Sequence, residues 1–222
     1  MNPKRRGQLV AAAWVLGLTF CASSRAESPG TNTAAQSLRL IFPAHGKEGE
    51  RVQVRYGVRD KVLVVSFEVS TRDFDSGKVA DAEIYKGNVV EVFVCTNAKI
   101  GQTPRPYYEF EVSPYDQELQ VLIDQNGKFH EQWKTLGFKH SVTLRKDRPG
   151  WDATMEIPLG DLGWKGDPAT LVGNAFAIVG RQGERRFYSA YLPPQTKPNF
   201  HQPKFFKPFP TDKIAAGKAT DR

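Results

Sequence analysis

About ten short runs rich in β-branched and aromatic residues, each bounded by turn residues, constrain this chain most. They are Leu38–Phe42, Val52–Val58, Val62–Ser70, Val89–Cys95, Tyr107–Ser113, Leu119–Asp124, Lys139–Leu144, Trp151–Ile157, Ala175–Val179 and Phe187–Tyr191. None exceeds nine residues, which suits strands better than helices. Between them stand Gly57-Val-Arg-Asp60, Gln125-Asn-Gly127 and Asp147-Arg-Pro-Gly150. Asn-Gly between two such runs predicts a hairpin, because both residues tolerate the positive φ of a tight turn. In Tyr107–Val112 the pattern alternates: Tyr108, Phe110 and Val112 share one face, Tyr107, Glu109 and Glu111 the other. A helical turn is expected only at Pro158–Leu162. The predicted fold is an all-β antiparallel sandwich of about ten strands.

The first residues read as an export signal. Lys4, Arg5 and Arg6 precede a mostly apolar run from Leu9 to Ala22, and Ser24-Arg25-Ala26 offers small residues at −3 and −1 of a cut before Glu27. The run is short for a membrane span, which needs about 20 residues. Lipidation at Cys21 is disfavoured by Phe20, where a small side chain is required. The expected organisation is a signal peptide at 1–26, a flexible leader at 27–37, one sandwich domain at 38–210 and a tail at 211–222. The protein is expected in the periplasm or outside the cell, and not as an integral membrane protein. Removing the signal removes four basic residues and no acidic ones, so the net charge falls from +7 to 7 − 4 = +3. That weakens any case for nucleic acid. Of two cysteines only Cys95 remains, so a packed core rather than disulfides must hold the fold.

Enzyme motifs are absent: no G-x-S-x-G, H-E-x-x-H, P-loop or C-x-x-C occurs. His45, His130, His140 and His201 show no metal-ligand spacing. Glu91, Glu109 and Glu111 fall on strands expected to be adjacent. They read either as paired carboxylates for glycoside chemistry or as the charged rim of a sheet. Asp73, Asp75 and Asp81 lie in an acidic stretch that suits a structural calcium ion and equally suits Asx turns. Glu91 interrupts the otherwise apolar run Val89–Cys95 and must face solvent or a polar cleft, since burying it unpaired is costly. Tyr85 stands just before it. An aromatic beside a carboxylate can hold a sugar, the ring on a pyranose C–H face and the charge on its hydroxyls. Tyr188–Phe206 adds Tyr191, Phe200 and His201 in a Pro-rich segment without helical or strand period.

Four segments, in order, resemble family 9 carbohydrate-binding modules and the wider DOMON-like sandwiches. They are Tyr85-Lys-Gly-Asn-Val-Val-Glu-Val-Phe, Tyr107-Tyr-Glu-Phe-Glu-Val-Ser-Pro, Gly150-Trp-Asp-Ala-Thr-Met-Glu-Ile-Pro-Leu, and Tyr188-Ser-Ala-Tyr-Leu-Pro followed by Asn199-Phe-His-Gln-Pro-Lys-Phe-Phe. The resemblance implies a non-catalytic protein whose Tyr85 and Phe200 clamp a sugar. Glu91 would accept from its hydroxyls, with Glu111, Tyr191 and His201 at the rim. The implied partner is a poly- or oligosaccharide, and the basic stretch from Arg181 to Lys207 suits an acidic glycan; no cofactor is expected beyond a calcium ion at Asp73, Asp75 and Asp81. The chain departs from the family at both clamp positions, where the modules carry Trp. It also has Asn88 in place of an acid and Glu111 in place of a basic sugar contact. Two other functions remain open. One is a haem-binding redox subunit, for which Met155 is the only methionine after the signal. The other is a glycan hydrolase with an unrecognised site.

Overall fold

A computed structural model describes residues 34–73 and 78–210. Two antiparallel sheets face one another. The first runs in the order β1 (Gln36–Ser37), β3 (Arg51–Arg59), β4 (Val62–Ser70), β10 (Trp151–Pro158), β9 (Lys139–Leu144). The second runs β2 (Arg39–Phe42), β12 (Arg186–Ser189), β11 (Val172–Val179), β5 (Val89–Cys95), β6 (Tyr107–Val112), β7 (Glu118–Ile123), β8 (Phe129–His130), with β13 (Lys207–Pro208) also on β11. All ten expected strands form, within a few residues of their expected bounds. Three two-residue strands, β1, β8 and β13, are too short to leave a sequence pattern. The Asn126-Gly127 hairpin joins β7 to β8, with Gly127 at φ 84° and its N–H donating to Asp124 O at 2.9 Å. Pro158–Leu162 departs from expectation. Pro158 ends β10, and tight turns follow in which Asp161 N–H donates to Pro158 O and Gly163 N–H to Gly160 O. Gly160 and Gly163 punctuate that stretch too closely for a helix to propagate.

The core between the sheets follows from period-two alternation. Val52, Val54 and Tyr56 of β3, Leu63, Val65, Phe67 and Val69 of β4, and Trp151, Ala153, Met155 and Ile157 of β10 point inward. They meet Val90, Val92 and Val94 of β5, Phe110 and Val112 of β6, and Ala175, Ala177 and Val179 of β11. Burial of so many apolar side chains, at about 25 cal/mol per Å², is the main stabilising term. Met155 is fully buried in this core and fills space there.

The second sheet is covered on its outer face as well. Val89, Phe93, Cys95, Tyr107, Val121, Ile123, Phe176 and Ile178 form a second cluster with Ile84 and with Leu192, Phe200 and Phe206 of the C-terminal segment. This explains why Val89–Cys95 reads as a nearly unbroken apolar run: every residue of β5 is buried. Ile84 comes from a short 3₁₀ stretch, Asp81–Lys86, that lies against β7 and β6. The cover is incomplete, and the opening it leaves holds the site.

Candidate functional site

A cleft of about 480 Å³ opens on the outer face of the second sheet. Its floor is set by register. Glu91 of β5 pairs directly with Glu111 of β6, and Glu109 stands two residues from Glu111 on the same face, opposite Phe93. The strand neighbours beyond are apolar: Phe176 beside Glu91, Leu119 beside Glu111 and Val121 beside Glu109. One oxygen from each carboxylate lies within 4.8 Å of the other two. The three residues are 2, 5 and 1 % exposed for Glu91, Glu109 and Glu111.

Three carboxyl groups in so little water cannot all ionise. Burial, followed by the charge of Glu109, holds Glu91 well above the usual carboxylate range. Burial also pushes Glu109 up to about 7, against a hydrogen bond with Glu111 that pulls it down. Glu111 is raised well above its ordinary value by burial and then by its two neighbours, and its hydrogen bond to Glu109 raises it further. The proton therefore sits on Glu111, which donates to Glu109. Glu111 Oε2 is buried and has no hydrogen-bond partner among the described residues, a condition that costs about 1–3 kcal/mol and that an incoming donor would relieve.

The walls are aromatic. Tyr85, 43 % exposed, rises from the 3₁₀ stretch, and Phe129, 45 % exposed, from β8. Phe187 and Phe200 complete the lining. Phe200 stacks on Phe176 at 4.3 Å with 19° between planes, and its edge meets Phe187. One face of Phe200 is thus committed to packing, while Tyr85 and Phe129 keep free surface. His201 is wedged among Phe93, Phe129 and Tyr107, with Nδ1 3.1 Å from the Tyr107 hydroxyl. Burial lowers its pKa to about 4. Its Nε2 lies 4.0 Å from Glu109; with the ring neutral, that contact is not an ion pair. Glu131, Arg185 and Asn199 form the rim. The Arg185 guanidinium is held over Phe187 and donates to Tyr85 O at 3.1 Å.

Of the residues expected to touch a sugar, Tyr85, Glu91, Glu111, Phe200 and His201 line this one cleft. Tyr191 does not: its ring packs against the inter-sheet core and its hydroxyl is 3.5 Å from Gln36 Oε1. β12 ends at Ser189, and beyond it the chain leaves the strand alternation that would have kept Tyr191 on the face of Phe187. Sequence reasoning missed Phe129, Phe187, Arg185 and Glu131 as lining residues and left Glu109 outside the expected set. Glu109 was legible from alternation with Glu111; the rest needed the tertiary path of the chain. Asn88 is buried and accepts from Gly180 N–H at 2.8 Å.

The calcium expectation meets different surroundings. Asp73 ion-pairs with Lys47, with Arg181 at 3.0 Å and with Arg186 at 3.4 Å, so its charge is already neutralised. Asp81 accepts from Gln117 Nε2 at 2.6 Å. Asp75 lies outside the described residues. Asp73 thus belongs to a cation-rich network in which Glu50 takes a bidentate pair from Arg186 at 2.6 and 2.7 Å, plus hydroxyl bonds from Tyr188 and Thr71. That network is poor ground for a further cation.

No family model matches the chain. It is 31 % identical over 136 residues to the UPF0462 protein C4orf33 homolog of Mus musculus, and 29 % identical over 175 residues to that of Rattus norvegicus. The first match covers 58 % of this chain and spans 63 % of the mouse protein; the second covers 72 % and 79 %. Among solved structures, a candidate carbohydrate-binding protein from Bacteroides uniformis overlays with a TM-score of 0.56 at 19 % identity, covering 78 % of this chain and 84 % of that one. A family 9 carbohydrate-binding module from Caldicellulosiruptor kristjanssonii in complex with glucose overlays at 0.49 and 15 % identity, covering 78 % and 82 %, too loosely to argue from. What the Bacteroides likeness carries is the fold: the two chains share a β-sandwich.

Proposed function

We propose that this is an exported, non-catalytic carbohydrate-binding protein that holds a poly- or oligosaccharide unit in the cleft on the outer sheet. The carrying observation is the pairing of free aromatic surface at Tyr85 and Phe129 with a buried carboxyl floor whose Glu111 Oε2 lacks a partner. Rings stack on the C–H faces of a pyranose, and carboxyl oxygens accept from hydroxyls. Export rests on the amino-terminal pattern of the sequence. Among the described residues no helix is long and apolar enough to cross a membrane.

Raised carboxyl pKa values in an aromatic cleft also favour a glycan hydrolase. Against it, Glu91, Glu109 and Glu111 stand side by side on one sheet face. A hydrolase pair must flank the scissile bond, about 5–5.5 or 6.5–9.5 Å apart. Calorimetric titration with xylo- and cello-oligosaccharides, run beside Tyr85→Ala and Phe200→Ala, tests the binding reading. Heat that disappears in both folded variants supports it; no heat with any glycan rejects it. Release of reducing sugar during the titration would favour the hydrolase.

A further inference from the structure

We propose that the carboxylate floor makes this cleft select a sugar bearing a free amine, a 2-amino-2-deoxy unit, over neutral or acidic sugars. This rests on the carbohydrate reading above and names its ligand class.

The floor presents three acceptors, one from each of Glu91, Glu109 and Glu111, within 4.8 Å of one another. A primary ammonium carries three N–H donors. With charge-assisted bonds of about 2.8 Å, tetrahedral geometry spreads its acceptors by about 4.6 Å. One ammonium therefore reaches the Glu109 carboxylate together with an acceptor oxygen of Glu91 and of Glu111, and a single sugar hydroxyl, with one proton, does not. Glu111, 1 % exposed, also keeps one oxygen without a hydrogen-bond partner among the described residues, so it can accept from an incoming donor. The same charge that attracts an amine repels a uronate, so an acidic glycan is the wrong class for this floor. Among the described residues two basic groups line the cleft. Arg185 is tied to the rim by Phe187 and Tyr85 O, and His201 is neutral in its aromatic packing.

A bare divalent ion fits less well. Calcium takes six to eight oxygens, and the side chains next to the three carboxylates in the sheet are Phe176, Leu119 and Val121, which supply none. Those rings and aliphatic groups suit the carbon skeleton of a sugar. Tyr85, Phe129 and Phe187 are placed to stack on it and to favour its charge through their π faces.

The test is calorimetric titration of the whole protein with four probes: a glucosamine trisaccharide, its N-acetylated counterpart, cellotriose and calcium chloride alone. The expected result is binding of the free-amine trisaccharide about tenfold tighter than of the other two sugars, the difference between charged and neutral hydrogen bonding. In Glu109→Gln, which removes the carboxylate that accepts from Glu111 while keeping its shape, and which is checked for folding by circular dichroism, that ratio falls to about 2 or less. Equal affinity for glucosamine and cellotriose overturns the amine selection and leaves the carbohydrate reading standing. Calcium binding that Glu109→Gln removes, with no amine preference, overturns it in favour of a metal site. Absence of binding to all three sugars overturns both readings.

Discussion

Replacing Glu109 by Gln should flatten the pH dependence of stability between about pH 4.5 and 7. In the unfolded chain this carboxyl titrates near its model value of 4.5, and in the fold burial holds it at about 7. A carboxyl raised on folding keeps a proton that the unfolded chain has lost. Its stabilising contribution is therefore complete below pH 4.5 and is lost as pH rises through 7. At about 1.4 kcal/mol per pH unit, the gap is worth about 3 kcal/mol. Glu91 and Glu111 are raised too and act with the same sign. His201 opposes them: lowered from 6.5 to about 4, it adds stability as pH rises between those values. One third of its side chain faces solvent, which screens that contribution. Asp124, lowered to about 2, acts below the window. The carboxylates therefore win, and the native protein should lose stability toward neutral pH. Urea unfolding in steps from pH 4.5 to 8 measures it. The expected result is a native protein losing at least about 3 kcal/mol across the window, and a Glu109→Gln variant losing distinctly less and exceeding it in stability at pH 7.5. Parallel curves for the two proteins, or a native stability that rises between pH 5 and 7, would refute the floor of unpaired carboxyl groups.

Tyr85→Ala should cost about 0.5 kcal/mol or less, because the ring is exposed, and yet abolish oligosaccharide binding; Phe200→Ala should do the same at a cost of about 3 kcal/mol, since its ring is stacked on Phe176. Urea midpoints and calorimetry separate the two effects. Glu50→Ala strands Arg186, 3 % exposed, without its bidentate partner and should cost about 3–5 kcal/mol by urea unfolding, with glycan affinity of the folded protein intact. Gly173→Ala would place a Cβ 2.1 Å from Phe93 O and 2.4 Å from the Phe209 ring, and a thermal melt should show at least about 1–3 kcal/mol of destabilisation.

Strands were legible because alternation and turn chemistry act locally. The Tyr108–Phe110–Val112 face and the Asn126-Gly127 hairpin follow from a few adjacent residues and need no tertiary information. The 3₁₀ stretch at Asp81–Lys86 was not legible, because it has no hydrophobic period of its own. A single side chain, Ile84, anchors it. Asp73 misled for a related reason: acidic side chains near one another in sequence suggest a cation, but their neighbours in space were Lys47, Arg181 and Arg186. Charge is compensated across the fold, and sequence distance says nothing of it.

The carboxylate floor shows where the boundary lies. Local rules require only that Glu91 not be buried alone. They could not foresee that its partners would be two more carboxylates. In the fold the register of β5 on β6 places Glu91 against Glu111, and the C-terminal segment then closes over them with Phe200 and His201. Like charges directly opposite on paired strands are destabilising, and here each is also desolvated. A sheet chosen for stability alone would put a valine at these positions, as β5 does at Val89. Three raised carboxyl groups, two of them hydrogen-bonded to each other, are stability forgone at a single spot, under an opening large enough for a sugar ring. Cost concentrated in this way marks a site. The Glu109→Gln variant should therefore gain stability at neutral pH while losing its ligand preference, a combination that a purely structural floor would not produce.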